Sequence, residues 1–168
     1  MAGGKVKSKK DSIRIISPQN HEHHEFIQDC FNETDFRMFI GILEPAKSLN
    51  YSLFTYRDKV IGVCSSYVSE STGVRVAYPS IFLTKVNPIL SVRCMQTLIA
   101  SMFCDLRVDK VTLIIYGNNQ KMLDMIEHTH FKKEGVFRLG AIINRQIVDV
   151  NYFSMLRNEF DSLRSEGI

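Results

Sequence analysis

One cluster of side chains in the sequence has the chemistry of a metal site, the run from His21 to Glu25, which reads His-Glu-His-His-Glu. Imidazole and carboxylate groups are the usual protein ligands of zinc. The zinc-protease pattern requires His-Glu-x-x-His, however, and Glu25 stands where the second histidine should be. Consecutive polar residues on a helix more often form a solvated face, so we expect no metal site.

The four cysteines could supply a nucleophile or a disulfide. Cys30, Cys64, Cys94 and Cys104 show no CxxC spacing and lie mostly within apolar patterns, which favours reduced, packed thiols. Cys94 could carry an acyl group, but the spacing places no histidine or carboxylate beside it. We therefore expect neither a disulfide frame nor a cysteine nucleophile.

The composition is that of one soluble domain. The chain has 168 residues, and 45% are hydrophobic and 23% charged. No apolar run approaches the ~20 residues needed to cross a bilayer. The N-terminus is lysine-rich without an apolar signal segment, so we expect a cytoplasmic protein that makes no membrane contact.

The net charge of +3 has a local origin in residues 1–11. This segment holds Lys5, Lys7, Lys9 and Lys10 against Asp11, and the rest of the chain is neutral. We expect a disordered basic tail followed by a single domain from residue 12 to 168. Nucleic acid is an unlikely partner except for weak contacts through these lysines.

The elements that must position any active side chain are organised around a strand–helix–strand unit. The sequence predicts a strand over 74–86, an amphipathic helix over about 91–106 and an apolar strand over 111–116. Two parallel strands need a crossover of this length. In the first strand the apolar positions change from even to odd numbers at Pro79 and Ser80, as one inserted residue, a β-bulge, would cause.

The remaining elements flank this unit. Before it we predict a short strand over 12–16, a helix starting at Ser17-Pro18, a second short helix within 32–43 and a hairpin over 51–68 that turns at Arg57-Asp58. After it we predict a helix from about Asn119, two strands around Asn144-Arg145 and a helical tail. The predicted fold class is mixed α/β, with a mostly antiparallel sheet and one parallel crossover.

The last third of the chain carries an ordered set of residues. They are Asn119, Phe131, Glu134, Gly135, Arg138 and Asp149. In this order and spacing they resemble the GCN5-related N-acetyltransferase (GNAT) superfamily, in the branch that acetylates ribosomal-protein N-termini and polyamines. The resemblance covers residues 13 to about 160, and it implies the GNAT fold, in which the fourth and fifth strands splay apart.

The resemblance implies an acetyl-CoA site between those two strands. Parted strands leave unpaired main-chain N–H and C=O groups for the amide-rich pantetheine arm, and the following helix N-terminus offers N–H groups to a pyrophosphate. By this carry-over the cofactor-binding residues are Ile81, Phe82, Leu83, Lys85, Ile89, Leu90, Ser91, Arg93 and Asn119.

The phosphate-binding segment departs from the family pattern. The family uses glycines that let the main chain curl against the phosphates, whereas residues 86–92 contain none and include Pro88, which lacks an N–H. Asn87-Pro88 could instead cap the helix one turn early and present the N–H groups of Ile89 and Leu90. The cofactor is therefore either held by this altered segment or lost.

The catalytic residues also depart from the family. The family's base is a Glu on the fourth strand, but no Asp or Glu occurs between Glu70 and Asp105. The places of its proton donor hold Met122 and Ile126, which cannot donate a proton. The remaining candidates are Tyr116 and Tyr78 as acids and Glu25, Glu22 and His24 as bases.

We therefore predict an acyl-CoA-dependent N-acetyltransferase that passes an acetyl group directly to a primary amine of a protein N-terminus or a polyamine. The alternative is a GNAT-fold module that has lost catalysis and binds a protein or nucleic-acid partner. Fold alone does not choose between them. A homodimer is compatible with either.

Overall fold

The computed structural model describes residues 12–32, 51–84 and 86–167. The basic tail, the second short helix and Lys85 lie outside the described residues. In chain order the described elements are β1 (Ile13–Ile16), α1 (His21–Asn32), β2 (Tyr51–Tyr56), β3 (Lys59–Ser71), β4 (Val74–Leu83), α2 (Pro88–Cys104), β5 (Lys110–Tyr116), α3 (Gln120–Ile126), β6 (Lys132–Ile143), β7 (Gln146–Leu156) and α4 (Arg157–Ser165).

The strands form one seven-stranded sheet in the order β1-β2-β3-β4-β5-β7-β6. The pair β4 and β5 is parallel, and the other neighbouring pairs are antiparallel. Helix α2 makes the crossover between the two parallel strands. This confirms the predicted mixed α/β class with a central βαβ unit.

Three two-residue turns join the antiparallel strands. Both residues of each turn have positive φ, as the tight turns of twisted hairpins require. The pairs are Arg57 and Asp58, Thr72 and Gly73, and Asn144 and Arg145. The turns at Arg57-Asp58 and Asn144-Arg145 lie where the sequence predicted them.

The two faces of the sheet are covered by different helices. On one face α2 packs Met95, Leu98 and Phe103 against the sheet, together with α3 and α4. On the other face α1 packs Ile27, Cys30 and Phe31 against β2, β3 and the end of β4. We call these the α2 face and the α1 face.

The start of α1 differs from the prediction. The helix begins at His21 instead of at Ser17-Pro18, because the Asn20 side chain accepts a hydrogen bond from the His23 N–H (2.9 Å). Asparagine caps a helix at least as well as serine. The residues between β1 and Asn20 form the connection.

The prediction of a β-bulge at Pro79 and Ser80 is wrong. Strands β3 and β4 keep one register from Gly62 and Leu83 to Ser71 and Val74. The apolar positions change from even to odd numbers because the side chains covered on the two faces differ along β4. In its early part the apolar residues lie on the α1 face, whereas Ile81 and Leu83 contact the core on the α2 face. The irregularity of this region lies in β3, where the register shifts opposite Phe54 and Thr55.

Candidate active site

The parallel strands β4 and β5 separate after two paired positions. The pairs are Val76 with Lys110 and Ala77 with Val111. Beyond them β4 stays paired with β3 as far as Leu83, and β5 stays paired with β7 as far as Tyr116. Among the described residues the two strands do not pair again. We call the resulting gap the slot; it opens where the resemblance predicted.

Pro79 explains where the slot begins. In a parallel ladder the hydrogen bonds continue in steps of two residues along each strand. After the pairing of Ala77 and Val111, the next bond would run from an N–H at position 79 to the Thr112 carbonyl. Proline has no N–H, so the ladder ends there without any inserted residue.

Main-chain groups of both strands face the slot. The Thr84 N–H donates to the Ile61 carbonyl of β3 (3.0 Å), so the even-numbered residues of β4 face β3 and the odd-numbered ones face the slot. The Gly117 N–H donates to the Asp149 carbonyl of β7 (2.8 Å), so the even-numbered residues of β5 face the slot. Ile81 and Ile114 therefore each direct an N–H and a C=O into it.

The two candidate acids lie on the same side of the sheet. Alternation places Tyr78 and Tyr116 on the α1 face, opposite the side chains that contact α2. Tyr78 stands at the closed end of the slot and stacks on Tyr67 with the ring centroids 6.2 Å apart. Tyr116 is four residues beyond the position level with Tyr78, which is about 13 Å along the strand. The structure does not bring these two hydroxyls together.

The candidate bases lie on helix α1 and not on the strands that border the slot. Glu25 is exposed on α1, and its Oε1 lies 3.4 Å from the His21 Nδ1. Glu22 and His24 are also exposed on that helix. Among the described residues no group of three or more His, Cys, Asp or Glu side chains is arranged to hold a metal ion. Neither strand carries an acidic residue along the slot.

The N-terminus of α2 has the early start that Asn87 and Pro88 allowed. The Asn87 Oδ1 accepts the Leu90 N–H (2.8 Å), and the Asn87 carbonyl accepts the N–H (3.0 Å) and hydroxyl (3.1 Å) of Ser91. The cap therefore uses the Leu90 N–H that the prediction offered to a phosphate. The Ile89 N–H has no acceptor among the described residues, and the Ile89 side chain is 76% exposed.

The other predicted cofactor residues differ in whether their main chains face the slot. Phe82 directs its main chain toward β3, and its side chain is buried in the core under α1. The side chain of Asn119 caps α3 by accepting the Met122 N–H (3.2 Å). Arg93 is exposed on α2 and lines a cavity of about 450 Å³ between α2 and α4. Ile81 and Leu83 are the predicted residues whose main chains face the slot.

Cys94 has no access to a substrate. Its side chain is fully buried. Burial raises the pKa of the Cys94 thiol to about 11, although Arg93 acts in the opposite direction. The thiol is therefore protonated near neutral pH, which argues against an acyl-carrying role. Among the described residues no disulfide is formed; Cys104 is exposed and the other three cysteines are buried.

A polar network beside the closed end of the slot was not predicted. Lys110 Nζ donates to both oxygens of Glu134 (2.6 and 2.8 Å), and the Ser154 hydroxyl donates to one of them (2.7 Å). These hydrogen bonds, led by that from Lys110, lower the pKa of Glu134. Lys110 is the partner of Val76 and Ser154 is the partner of Thr112. The network therefore fixes β5, β6 and β7 next to the point where β4 departs.

Asp149 connects the end of β5 to the edge hairpin. Its carbonyl accepts the Gly117 N–H, and its Oδ1 accepts the Leu139 N–H (2.9 Å). Leu139 lies in an irregular part of β6, where the register with β7 shifts between Phe137 and Ala141. The sequence singled out Asp149 only through the resemblance, and the structure gives it this bridging contact.

Comparison with solved structures identifies the fold. A spermidine N-acetyltransferase from Vibrio cholerae in complex with CoA and spermine is 16% identical, with a TM-score of 0.76 over 88% of this chain and 97% of that chain. An aminoglycoside acetyltransferase, AAC(6')-Ib, in complex with coenzyme A is 14% identical, with a TM-score of 0.70 over 91% and 99%. A probable acetyltransferase is 21% identical, with a TM-score of 0.61 over 88% and 93%.

The chain has the GNAT fold. No protein-family model and no curated protein matches its sequence. The splayed strands of this GNAT fold are the feature that the resemblance predicted. None of the described helices has the length and apolar character needed to cross a membrane.

Proposed function

We propose that the protein binds acetyl-CoA in the slot and transfers the acetyl group to a primary amine. The observation that carries this proposal is the end of β4–β5 pairing after Ala77 and Val111. The gap presents main-chain N–H and C=O groups, which suit the amide groups of a pantetheine arm. Proteins of the same fold include acetyltransferases in complex with CoA.

The reaction is a direct attack on the thioester. The amine nitrogen forms a bond to the acetyl carbon while the carbon–sulfur bond breaks, the amine loses one proton and the sulfur leaves as a thiol after gaining one. Tyr78 is the candidate donor of that second proton because it stands at the closed end of the slot. No described residue of the slot is a carboxylate, so the attacking amine transfers its proton to water.

The acceptor approaches from the α1 face. Helix α2 covers the opposite face of both strands and buries Ala77 and Val111 completely. The Tyr78 side chain points to the α1 face and is half-buried. A small unhindered amine, such as that of a polyamine or a protein N-terminus, suits this approach. Neighbours of the same fold act on spermidine and on aminoglycosides, which supports an amine acceptor.

Amide hydrogen exchange tests cofactor binding. Acetyl-CoA should slow exchange at Ile81 and Ile114, whose N–H groups face the slot. Exchange at Phe82 and Ile115 should not change, because their N–H groups face β3 and β7. Acetyl-CoA at 100 times its dissociation constant should also raise the free energy of unfolding by about 2.7 kcal/mol.

Unchanged exchange and unchanged stability with millimolar acetyl-CoA would reject the enzymatic proposal. That result would favour the second candidate, a GNAT-fold module that binds a protein or nucleic-acid partner. The absence of glycine from residues 86–92 and the use of the Leu90 N–H by the helix cap support this alternative.

A further inference from the structure

We propose that a cavity between the C-terminal end of α2 and helix α4 binds a small phosphate monoester. The cavity has a volume of about 460 Å³. Its wall contains Arg107, Arg157, Arg164, Asp161, Phe103 and Phe160. It shares no residue with the slot, so this binding site is separate from the proposed site of acetyl transfer.

The charge of the wall suits a dianion. Three guanidinium groups against one carboxylate leave an excess of two positive charges. The C-terminus of α2 reduces this excess by about half a charge. A phosphate monoester carries about −1.5 to −2 charges at pH 7 and offers three oxygens that match the forked donors of arginine.

The arginines are partly held in place before any ligand arrives. Arg157 Nη2 donates to the carbonyls of Phe103 (2.9 Å) and Val108 (2.6 Å), and its guanidinium lies 5.5 Å from the centroid of the Phe103 ring. Arg164 Nη1 lies 3.6 Å from the Cys104 sulfur. Side chains that are already ordered lose less conformational entropy on binding.

Arg107 is the cation left for a ligand. Its main chain adopts a φ of +52°, and its carbonyl accepts a hydrogen bond from Arg75 Nη1 (3.4 Å). The Arg107 guanidinium makes no ion pair or hydrogen bond with another described residue. A phosphate oxygen between Arg107 and Arg164 would supply that partner.

The apolar part of the wall indicates an ester instead of inorganic phosphate. The rings of Phe103 and Phe160 stack with their centroids 4.7 Å apart and an interplanar angle of 20°. The cavity is larger than a phosphate group alone and lies within the range of about 300 to 1,000 Å³ typical of small-molecule sites. Phe103 is only 1% exposed, so the half-buried Phe160 ring, which stacks on Phe103, supplies the apolar surface for the organic group that carries the phosphate.

Calorimetric titration of the whole chain with phenyl phosphate tests this inference. With ionic strength kept constant by chloride, we expect saturable binding to one site and weaker binding of inorganic phosphate. Arg107→Gln and Arg164→Gln should each weaken binding by about ten- to a hundredfold, the usual effect of losing a charged hydrogen bond. Arg145→Gln removes the same charge from the distant turn between β6 and β7 and should bind like the wild type.

Two results would overturn the inference: no saturable binding to the wild type, or equal weakening by all three substitutions. Circular dichroism of each variant separates lost binding from lost folding. If Arg107→Gln alone is unfolded, the comparison of Arg164→Gln with Arg145→Gln still decides the question.

Discussion

The two tyrosines near the slot have different positions relative to a thioester. Tyr78 follows the last paired residue of β4, whereas Tyr116 ends β5 at the open end of the slot. A proton donor must be within hydrogen-bonding reach of the leaving sulfur. Because the two positions differ by about 13 Å along the strand, one bound thioester can use only one of these hydroxyls.

Replacing each tyrosine by phenylalanine distinguishes them. Tyr78→Phe keeps the ring that stacks on Tyr67 but removes the proton donor, so kcat should fall by about a hundredfold or more. Tyr116→Phe should change kcat by less than about threefold. The assay uses acetyl-CoA with spermidine as the test amine. A larger effect of Tyr116→Phe would move the reacting atoms to the open end of the slot.

Replacing Glu25 by glutamine tests whether the reaction uses a carboxylate base. Glu25→Gln should leave the pH profile of kcat/KM unchanged, because the carboxylate is exposed on α1 beside His21 and belongs to neither of the strands that border the slot. We expect kcat/KM to rise with pH as the free amine becomes neutral, since no described slot residue takes its proton. A profile that loses an acidic limb in Glu25→Gln would contradict this reading.

Glu134 should make the stability of the protein sensitive to acid. Its hydrogen bonds with Lys110 and Ser154 lower its pKa in the folded state below the ordinary value of 4.5. Its contribution to stability is therefore complete above that value and is lost as pH falls through the folded-state pKa. Glu134→Gln should lower the melting temperature at pH 7, and this effect should become smaller as the pH falls below 4.5. Glu127→Gln, on the exposed end of α3, should have little effect throughout this range.

At the scale of elements, Pro79 separates two strands that would otherwise continue their ladder. Pro79→Ala supplies the missing N–H opposite the Thr112 carbonyl, so the slot should close by one hydrogen bond, worth about 1 kcal/mol. Because acetyl-CoA must break this bond to bind, its affinity should fall by about fivefold, as measured by calorimetry. The free protein should be more stable than Pro18→Ala, which changes the unfolded chain in the same way but lies in the connection before α1.

If Pro79→Ala and Pro18→Ala bind acetyl-CoA equally well, the missing N–H is not what keeps the slot open. Exchange at Ile81 in the free Pro79→Ala variant gives a second measure of closure. Slower exchange there would show that the strands have moved together, whatever the effect on the cofactor.

The elements were predictable wherever periodicity or a cap was strong. Helix α2 carries apolar residues at helical spacing, and its Asn87-Pro88 start follows from local chemistry alone. The start of α1 was missed because Ser17 and Asn20 are both good caps, and the sequence alone does not show that the helix uses Asn20. The bulge in β4 was wrong because periodicity does not reveal which face of a two-sided strand is covered.

The site was only partly predictable because its contacts depend on which strands are neighbours in the sheet and on their register. The slot was predicted, but its cause, a proline at the first unmade bond, depends on the register between β4 and β5. The contacts of Glu134 with Lys110 and Ser154 join residues that are 24 and 20 positions apart and lie on three different strands. His130, directly before Phe131, has a φ of +61°, the left-handed conformation that glycine adopts at least cost.

At the scale of the whole molecule, one sheet is shared by two separate hydrophobic clusters. Leu53 and Val63 are buried under α1, whereas Phe54 and Cys64, their chain neighbours, are buried on the α2 face. Strands β2 and β3 therefore contribute alternate residues to both clusters. Loss of either cluster should remove support from the same strands.

This coupling predicts one cooperative unfolding transition. Leu53→Ala and Leu98→Ala remove side chains that are 0% and 2% exposed, on opposite faces of the sheet. Each should lower the free energy of unfolding by about 2 to 5 kcal/mol. In urea, the near-ultraviolet and far-ultraviolet dichroism of each variant should change at the same midpoint. Two separated midpoints in one variant would mean that only one of the two hydrophobic clusters has unfolded at the first midpoint. That result would show that the clusters unfold independently and that the slot can open without unfolding the whole chain.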